Sequence, residues 1–353
     1  MRAENSNQKS AYRTQWLTLV FRPLSFALCP LSKYIALAIF IFITTIATTS
    51  CTKNIDIEIP KESQQITVEG TIEIDRPPLI LLTNSQGFFD NINLNDLGAY
   101  FVRDAKITIT TGNDTIQLVE FCLNDLPATD QQKKQLLQNF GFSADSALPI
   151  PNVCIYSIPD LINCLLGGSC SFVGKENTRY DLRIEAKDKV LTSYTTIPKA
   201  VGIDSLTVRP RPNAPADDKF VAVYNNLTVP STFGNFVRYW TKRNSEPYYL
   251  PGSQSVWDDK LFIGLTIALP IERGYKKGAQ IEPEVYSLFE KGDTVTIKWS
   301  NIDSRSYDFY FTLENDGGGS PFSSPIVVKS NINGGLGVWA GFASQYYTIV
   351  VPK

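Results

Sequence analysis

The cysteines carry the most legible chemistry in this sequence, and their setting decides what each can do. The chain has six cysteines and no histidine. Without histidine it cannot build a Ser-His-Asp triad, a Cys-His nucleophile pair or an HExxH zinc site. Acid–base work would fall to Asp, Glu, Lys, Tyr or Cys. Cys51 follows an apolar run over residues 35–47 and the small residues Thr48, Thr49 and Ser50. That run is shorter than the roughly 20 residues a spanning helix needs, and it suits a secretory h-region of roughly 7–15 residues. Arg22 and Lys33 supply the preceding positive charge. The pattern predicts a lipoprotein signal: cleavage before Cys51, whose thiol then carries the lipid. Thr48 stands where leucine is usual in such signals. An uncleaved signal anchor is the alternative.

Cys29 would leave with the leader. Cys122, Cys154, Cys164 and Cys170 remain, an even number outside the cytoplasm, which predicts disulfides. Four cysteines allow three pairings. The short stretch "CLLGGSC" favours Cys164–Cys170, with Cys122–Cys154 as the second bridge. A metal cluster is the competing reading, and no CxxC spacing supports it.

Other candidate sites are surface features. Tyr239, Trp240, Tyr248, Tyr249 and Trp257 cluster around a Pro/Gly loop. The loop members Tyr248, Tyr249 and Trp257 could stack on sugar rings or anchor a protein contact, whereas Tyr239 is expected to pack inward from a strand. Asp258 and Asp259 read as a solvated turn, since calcium needs more oxygen ligands than one pair. "NGGLGVWAG" misses the GxGxxG spacing and reads as a tight turn before a final strand. Asp-Ser/Thr-apolar triplets mark Thr115, Ser146, Ser205 and Thr294 as candidate O-glycosylation sites, against ordinary Asp-led turns.

The elements that must position these groups are mostly strands. "QITVEGTIEID" alternates apolar and polar residues, and "DAKITITTGNDTIQLVE" and "RYDLRIEAKDKVLTSYTTIP" read as hairpins. A polar helical piece, "ATDQQKKQLLQNFG", falls among the four cysteines, and "SRSYDFYFTLENDGGG" predicts a short helix after Asp303. The expected organisation is a removed signal peptide (1–50), a tether (51–61), and two β-sandwich-like domains. The first spans 62–200 with a disulfide-bearing insertion at 121–175; the second spans 201–353. Residues 1–50 hold Arg2, Lys9, Arg13, Arg22 and Lys33 against Glu4, so the body is the acidic part of a chain of net charge −2. That balance argues against nucleic acid as a partner.

Several stretches together resemble the domain-of-unknown-function 4249 family. They are "VEG" (Val68 to Gly70), Ala105-x-Ile107-x-Ile109, Tyr180-x-Leu182-x-Ile184 and "IDSL" (Ile203 to Leu206). "DDKLFIG", "KGDTVTIKWSNIDSRSYDFYFTLE" and "GGGSPFSSPIVVKSNINGGLGVWAGFAS" complete the set, with Pro321 to Gly341 the most specific part. The resemblance implies outer-membrane lipoproteins typical of Bacteroidetes, encoded beside TonB-dependent transporters, with no assigned activity. No cofactor is expected. The expected role is a non-enzymatic accessory subunit of such a transporter or a surface binding module, lipid-anchored at the outer membrane. A histidine-independent carbohydrate- or peptide-active enzyme and a structural adhesin are the alternatives.

Overall fold

Strand order explains how one sheet comes to hold residues from both ends of the chain. The computed structural model describes residues 64–86, 98–126, 128–139, 150–211, 214–215, 217–276, 278–315 and 327–353, together with Tyr34, Ile35, Leu37 and Ala38, which are helical and exposed. Cys51 and Ser146 lie outside the described residues.

β1 (Ile66–Glu73), β2 (Leu79–Asn84), β3 (Lys106–Thr111), β4 (Asp114–Cys122), β5 (Cys154–Ser157), β6 (Thr178–Ala186) and β7 (Lys189–Ile197) make up the N-terminal half. β8 (Ser205–Pro210), β9 (Phe220–Thr228), β10 (Phe236–Arg243), β11 (Val256–Asp258), β12 (Thr266–Ile271), β13 (Phe289–Glu290), β14 (Thr294–Ile302) and β15 (Leu336–Val350) follow. The described elements of the body also include three α-helices, α1 (Asp130–Asn139), α2 (Leu161–Leu165) and α3 (Ser304–Glu314), and short 3₁₀ turns at Leu123–Asp125 and Pro283–Val285. The chain is mainly β, as expected, with one short helix near its C-terminus.

The large sheet has 11 strands in the order β11-β10-β14-β15-β1-β2-β5-β4-β3-β6-β7; β8, β9, β12 and β13 form a second sheet of 4. Both expected hairpins form, and their turns show why. Lys187 and Asp188 both take positive φ (49° and 61°) between the paired Ala186 and Lys189, as a type I′ turn requires. Gly112 supplies the positive φ between Thr111 and Asp114.

Two main cores lie within the body, and residue 200 does not divide them cleanly, because Ile332, Trp339 and Ala343 join the first. Ile72, Ile80, Ile107, Tyr180, Leu182 and Trp339 belong to the first; Val223, Tyr239, Ile297, Trp299 and Phe289 belong to the second. Hydrogen bonding has no divide there either. β15 runs parallel to β1 from Leu336 to Phe342 and antiparallel to β14 from Ala343 to Val350. Residues Lys61–Lys353 accordingly form one compact unit.

The expected insertion is also part of the framework. β5 sits inside the sheet between β2 and β4. Its Tyr156 is 1% exposed, donates to the Val102 carbonyl (2.9 Å) and accepts from the Ala105 amide (3.1 Å). Burial pushes its phenol up to about 12. The disulfides are Cys122–Cys154 and Cys164–Cys170. The first joins directly paired residues of β4 and β5. Glu120 lies with these two sulfurs, but the thiols are joined to each other and Glu120 pairs with Arg103 at 2.6 Å.

Candidate functional site

The alternation of β10 sets up the site. Val237 and Tyr239 point into the second core and Thr241 is buried in the same alternation, so Phe236, Arg238, Trp240 and Lys242 fall on the opposite face. Helix α3 covers one end of that face: Val256, Ile302, Phe309, Tyr310, Val338, Ala340 and Phe342 form a third core there. Asp303 caps α3 by accepting from the Ser306 amide, while its other oxygen takes bonds from Thr195 and Thr196 of β7.

Beyond the helix the face becomes polar and aromatic. Trp240, Lys298 and Tyr346 stand directly opposite one another on β10, β14 and β15. Lys298 Nζ lies 5.1 Å from the Trp240 ring centre and 2.6 Å from Glu73. Glu73 also accepts from the Tyr346 hydroxyl at 3.1 Å, and Arg76 approaches both groups. Burial lowers the Lys298 pKa, opposed by Glu73; burial and Glu73 together raise that of Tyr346.

Tyr248 joins this row from the loop after β10. Paired backbone bonds between Thr241 and Tyr249 hold the loop, and the Tyr248 ring meets Tyr346 edge-on with centres 6.1 Å apart. Lys242 lies 5.7 Å from the Tyr248 ring. Tyr248 and Tyr346 remain 37% and 45% exposed, so their rings are available to a ligand.

The inner end of the row is already occupied. Arg238 stacks 3.5 Å from the Tyr310 ring, bonds Ser255 and approaches Glu314, which in turn accepts from Ser255. The open part is Trp240–Lys298–Tyr346–Tyr248, with Lys242 and Arg76 as flanking cations. Aromatic edges beside fixed cations suit recognition of a ring or an anionic group.

The three sequence-predicted aromatics do not converge. Tyr248 lies on this face. Tyr249 is half-buried and contributes backbone pairing. Trp257 pairs with Val237 and turns inward, with its ring 5.4 Å from that of Trp299. The cavity beside Trp257 holds about 10 Å³, room for one water. Asn301 lines it, and its Nδ2 has no protein partner. Lys298, Glu73 and Tyr346 escaped the sequence reading because 225 and 273 residues separate them from or to Glu73. Alternation from an inward Tyr239 was the available signal for Trp240.

Other expectations fare differently. Asp259 is not solvated: it is fully buried and accepts from the Gly234 and Asn235 amides and the Asn235 side chain. Asp258 is half-buried and accepts from the Lys260 amide and the Tyr307 hydroxyl. Thr115, Ser205 and Thr294 are exposed at the starts of β4, β8 and β14. The Asp293 carboxylate before Thr294 accepts from Asn244 and the Glu290 amide, which is turn chemistry.

The glycine-rich motif is structural. Gly337 has φ +103°, and a Cβ there would stand 1.9 Å from the Val68 carbonyl oxygen. Gly70 faces Trp339 across the β1–β15 pair, where a Cβ would lie 2.7 Å from the indole. Asn331 completes the edge of β15 by accepting from the Trp339 amide and donating to its carbonyl. In the described part of the most specific sequence signature, Asn331 to Gly341 therefore record how β15 enters the sheet.

A mainly β body thus carries a half-open aromatic and cationic face. The chain belongs to the family described as Domain of unknown function (DUF4249), whose model matches residues 52–348. No curated protein matches the chain.

Proposed function

We propose that this is a non-enzymatic, lipid-anchored outer-membrane protein that recognises a partner through the Trp240–Lys298–Tyr346–Tyr248 face. The partner is a TonB-dependent transporter that the protein serves as an accessory subunit. The anchor is Cys51, and the following segment is a tether.

The carrying observation is the half-exposed Tyr248–Tyr346 pair beside a partly buried Lys298–Glu73 ion pair. Rings held in place lose little freedom on binding, and fixed charges orient what lands on them. The family resemblance supports the transporter as partner, and the apolar run ending at Cys51 supports the anchor.

Capture from mildly solubilised membranes tests this reading. Wild-type protein is expected to retain a transporter in stoichiometric amount. Recovery as a lone monomer would contradict it. Binding on a glycan array that is lost in Tyr248→Ala would replace the transporter with a carbohydrate ligand at the same face.

A further inference from the structure

A second surface lies at one end of the C-terminal half. The loops at residues 229–235 and 259–266 pack side by side, joined by the Gly264 amide to Pro230 (3.0 Å) and the Val229 amide to Leu265 (2.9 Å). Together they expose Phe233 (54%), Leu261 (79%), Ile263 (38%) and Leu265 (52%). Leucine at that exposure stands clear of the body.

We propose that this tip inserts shallowly into a lipid surface bearing anionic headgroups. Four observations favour lipid over a protein partner. First, polar backbone is expensive in a membrane unless it is paired internally. Here the amides of Gly234, Asn235, Lys260, Phe262, Gly264 and Leu265 pair within the two loops or with Asp258 and Asp259, which lowers the number left to desolvate. Second, the buried Asp259 carboxylate locks one loop to the other, so the apolar groups are presented together.

Third, neither loop has an exposed carboxylate, whereas Lys260 is exposed beside Leu261. Asp204, also exposed, starts behind the tip, where its amide bonds Asn226 of β9. Fourth, β1, β10 and β15 run in one direction, because β15 is parallel to β1 and β14 is antiparallel to both β15 and β10. The loop leading into β10 and the chain leading into β1 therefore enter from the same end of the sheet. Residues 52–64 span at most about 45 Å when extended, which leaves the tip within reach of the membrane holding Cys51. This fourth point rests on the proposed anchor; the first three do not.

The test omits Cys51. Residues 61–353 contain every described strand, both disulfides and all the core clusters. This fragment is sedimented with vesicles of phosphatidylcholine alone or mixed three to one with phosphatidylglycerol. Binding to the mixed vesicles, weaker on neutral ones, is expected. The triple variant Phe233→Ser/Leu261→Ser/Leu265→Ser should bind at least tenfold more weakly with an unchanged melting temperature, and Lys260→Gln should lose most of the preference for the anionic vesicles.

No partition of the fragment into either vesicle would overturn the proposal, as would a triple variant that binds like wild type. A vesicle-free dimer that the triple variant abolishes would reassign the tip to a second copy. The anchor is read separately, from whether Cys51→Ala in the full chain leaves the membrane fraction.

Discussion

Trp339 and Trp299 are the two largest fully buried side chains, they sit on adjacent strands, and they face different cores. Each indole donates to a backbone carbonyl, Trp339 to Tyr180 (3.0 Å) and Trp299 to Val201 (3.1 Å). Around Trp339 the structure is closed. Asn331 and Thr195 complete the β15 edge, disulfides staple the neighbouring segment, and the exposed Tyr194 has the guanidiniums of Arg179 and Arg305 within 4.1 Å of its ring centre. Around Trp299 the same sheet keeps a reverse face on which Tyr248 and Tyr346 meet only at their edges. On the proposed reading, that difference leaves the N-terminal half as scaffold and gives the C-terminal half the recognition face, with β15 holding them in register.

The largest effect should come from breaking that register. Gly337→Val forces a side chain into the Val68 carbonyl at a positive φ, and it is expected to abolish the folded state, seen as loss of strand signal in far-ultraviolet circular dichroism. Gly112→Ala is the contrast: φ is also positive, but nothing lies within 4 Å of the added methyl, so the loss should be about 1 kcal/mol.

Trp339→Ala and Trp299→Ala should each cost about 3–5 kcal/mol in urea unfolding. Because β15 belongs to both halves, each variant should shift one common transition. Two separated transitions would show that the halves unfold independently. Next in size are the disulfides. Removing Cys122–Cys154 should cost about 3–4 kcal/mol and removing Cys164–Cys170 about 2, since loop-closure entropy grows with loop length; their sequence separations are 32 and 6.

The Cys164–Cys170 bridge, the hairpins and the capped helix after Asp303 were legible because each depends on neighbours in sequence: a short Cys-Cys loop, a turn pair, an Asp followed by an amphipathic run; Cys122–Cys154, 32 residues apart, followed as the remaining pair. The parallel β1–β15 pairing was not, since no local signal joins Thr67 to Leu336. The role of Asp259 was missed for a related reason. Adjacent aspartates look solvated until a loop 24 and 25 residues away supplies donors. The candidate face was half legible: Tyr248 was marked by its loop, but its companions came from β1, β14 and β15. Trp257 was misassigned because a three-residue strand, β11, shows too little alternation to reveal which way it faces.

The pH profile should also separate the two kinds of environment. Burial pushes the phenols of Tyr156, Tyr307 and Tyr310 up to about 12, whereas unfolded tyrosines ionise near about 10. Between those values the unfolded chain has released protons the fold retains, so stability falls as pH rises through that window. Lys298 acts in the opposite sense. Its lowered pKa makes the fold release a proton first, so its contribution rises with pH up to about 10.4. The three phenols outweigh it, and the urea midpoint should drop above about pH 10. With no histidine to titrate, that midpoint should be flat from about pH 6 to 8.

The smallest effect on stability, under about 1 kcal/mol, is expected for Tyr248→Ala/Tyr346→Ala, because both rings are surface-exposed. The same variant measures the assignment of recognition to the C-terminal half most directly. Membrane capture with wild type, Tyr248→Ala/Tyr346→Ala and the N-terminal control Val190→Ser/Tyr194→Ala should give a stoichiometric partner with the first and third and none with the second. Equal capture by all three, or loss only in the Val190/Tyr194 control, would contradict the account.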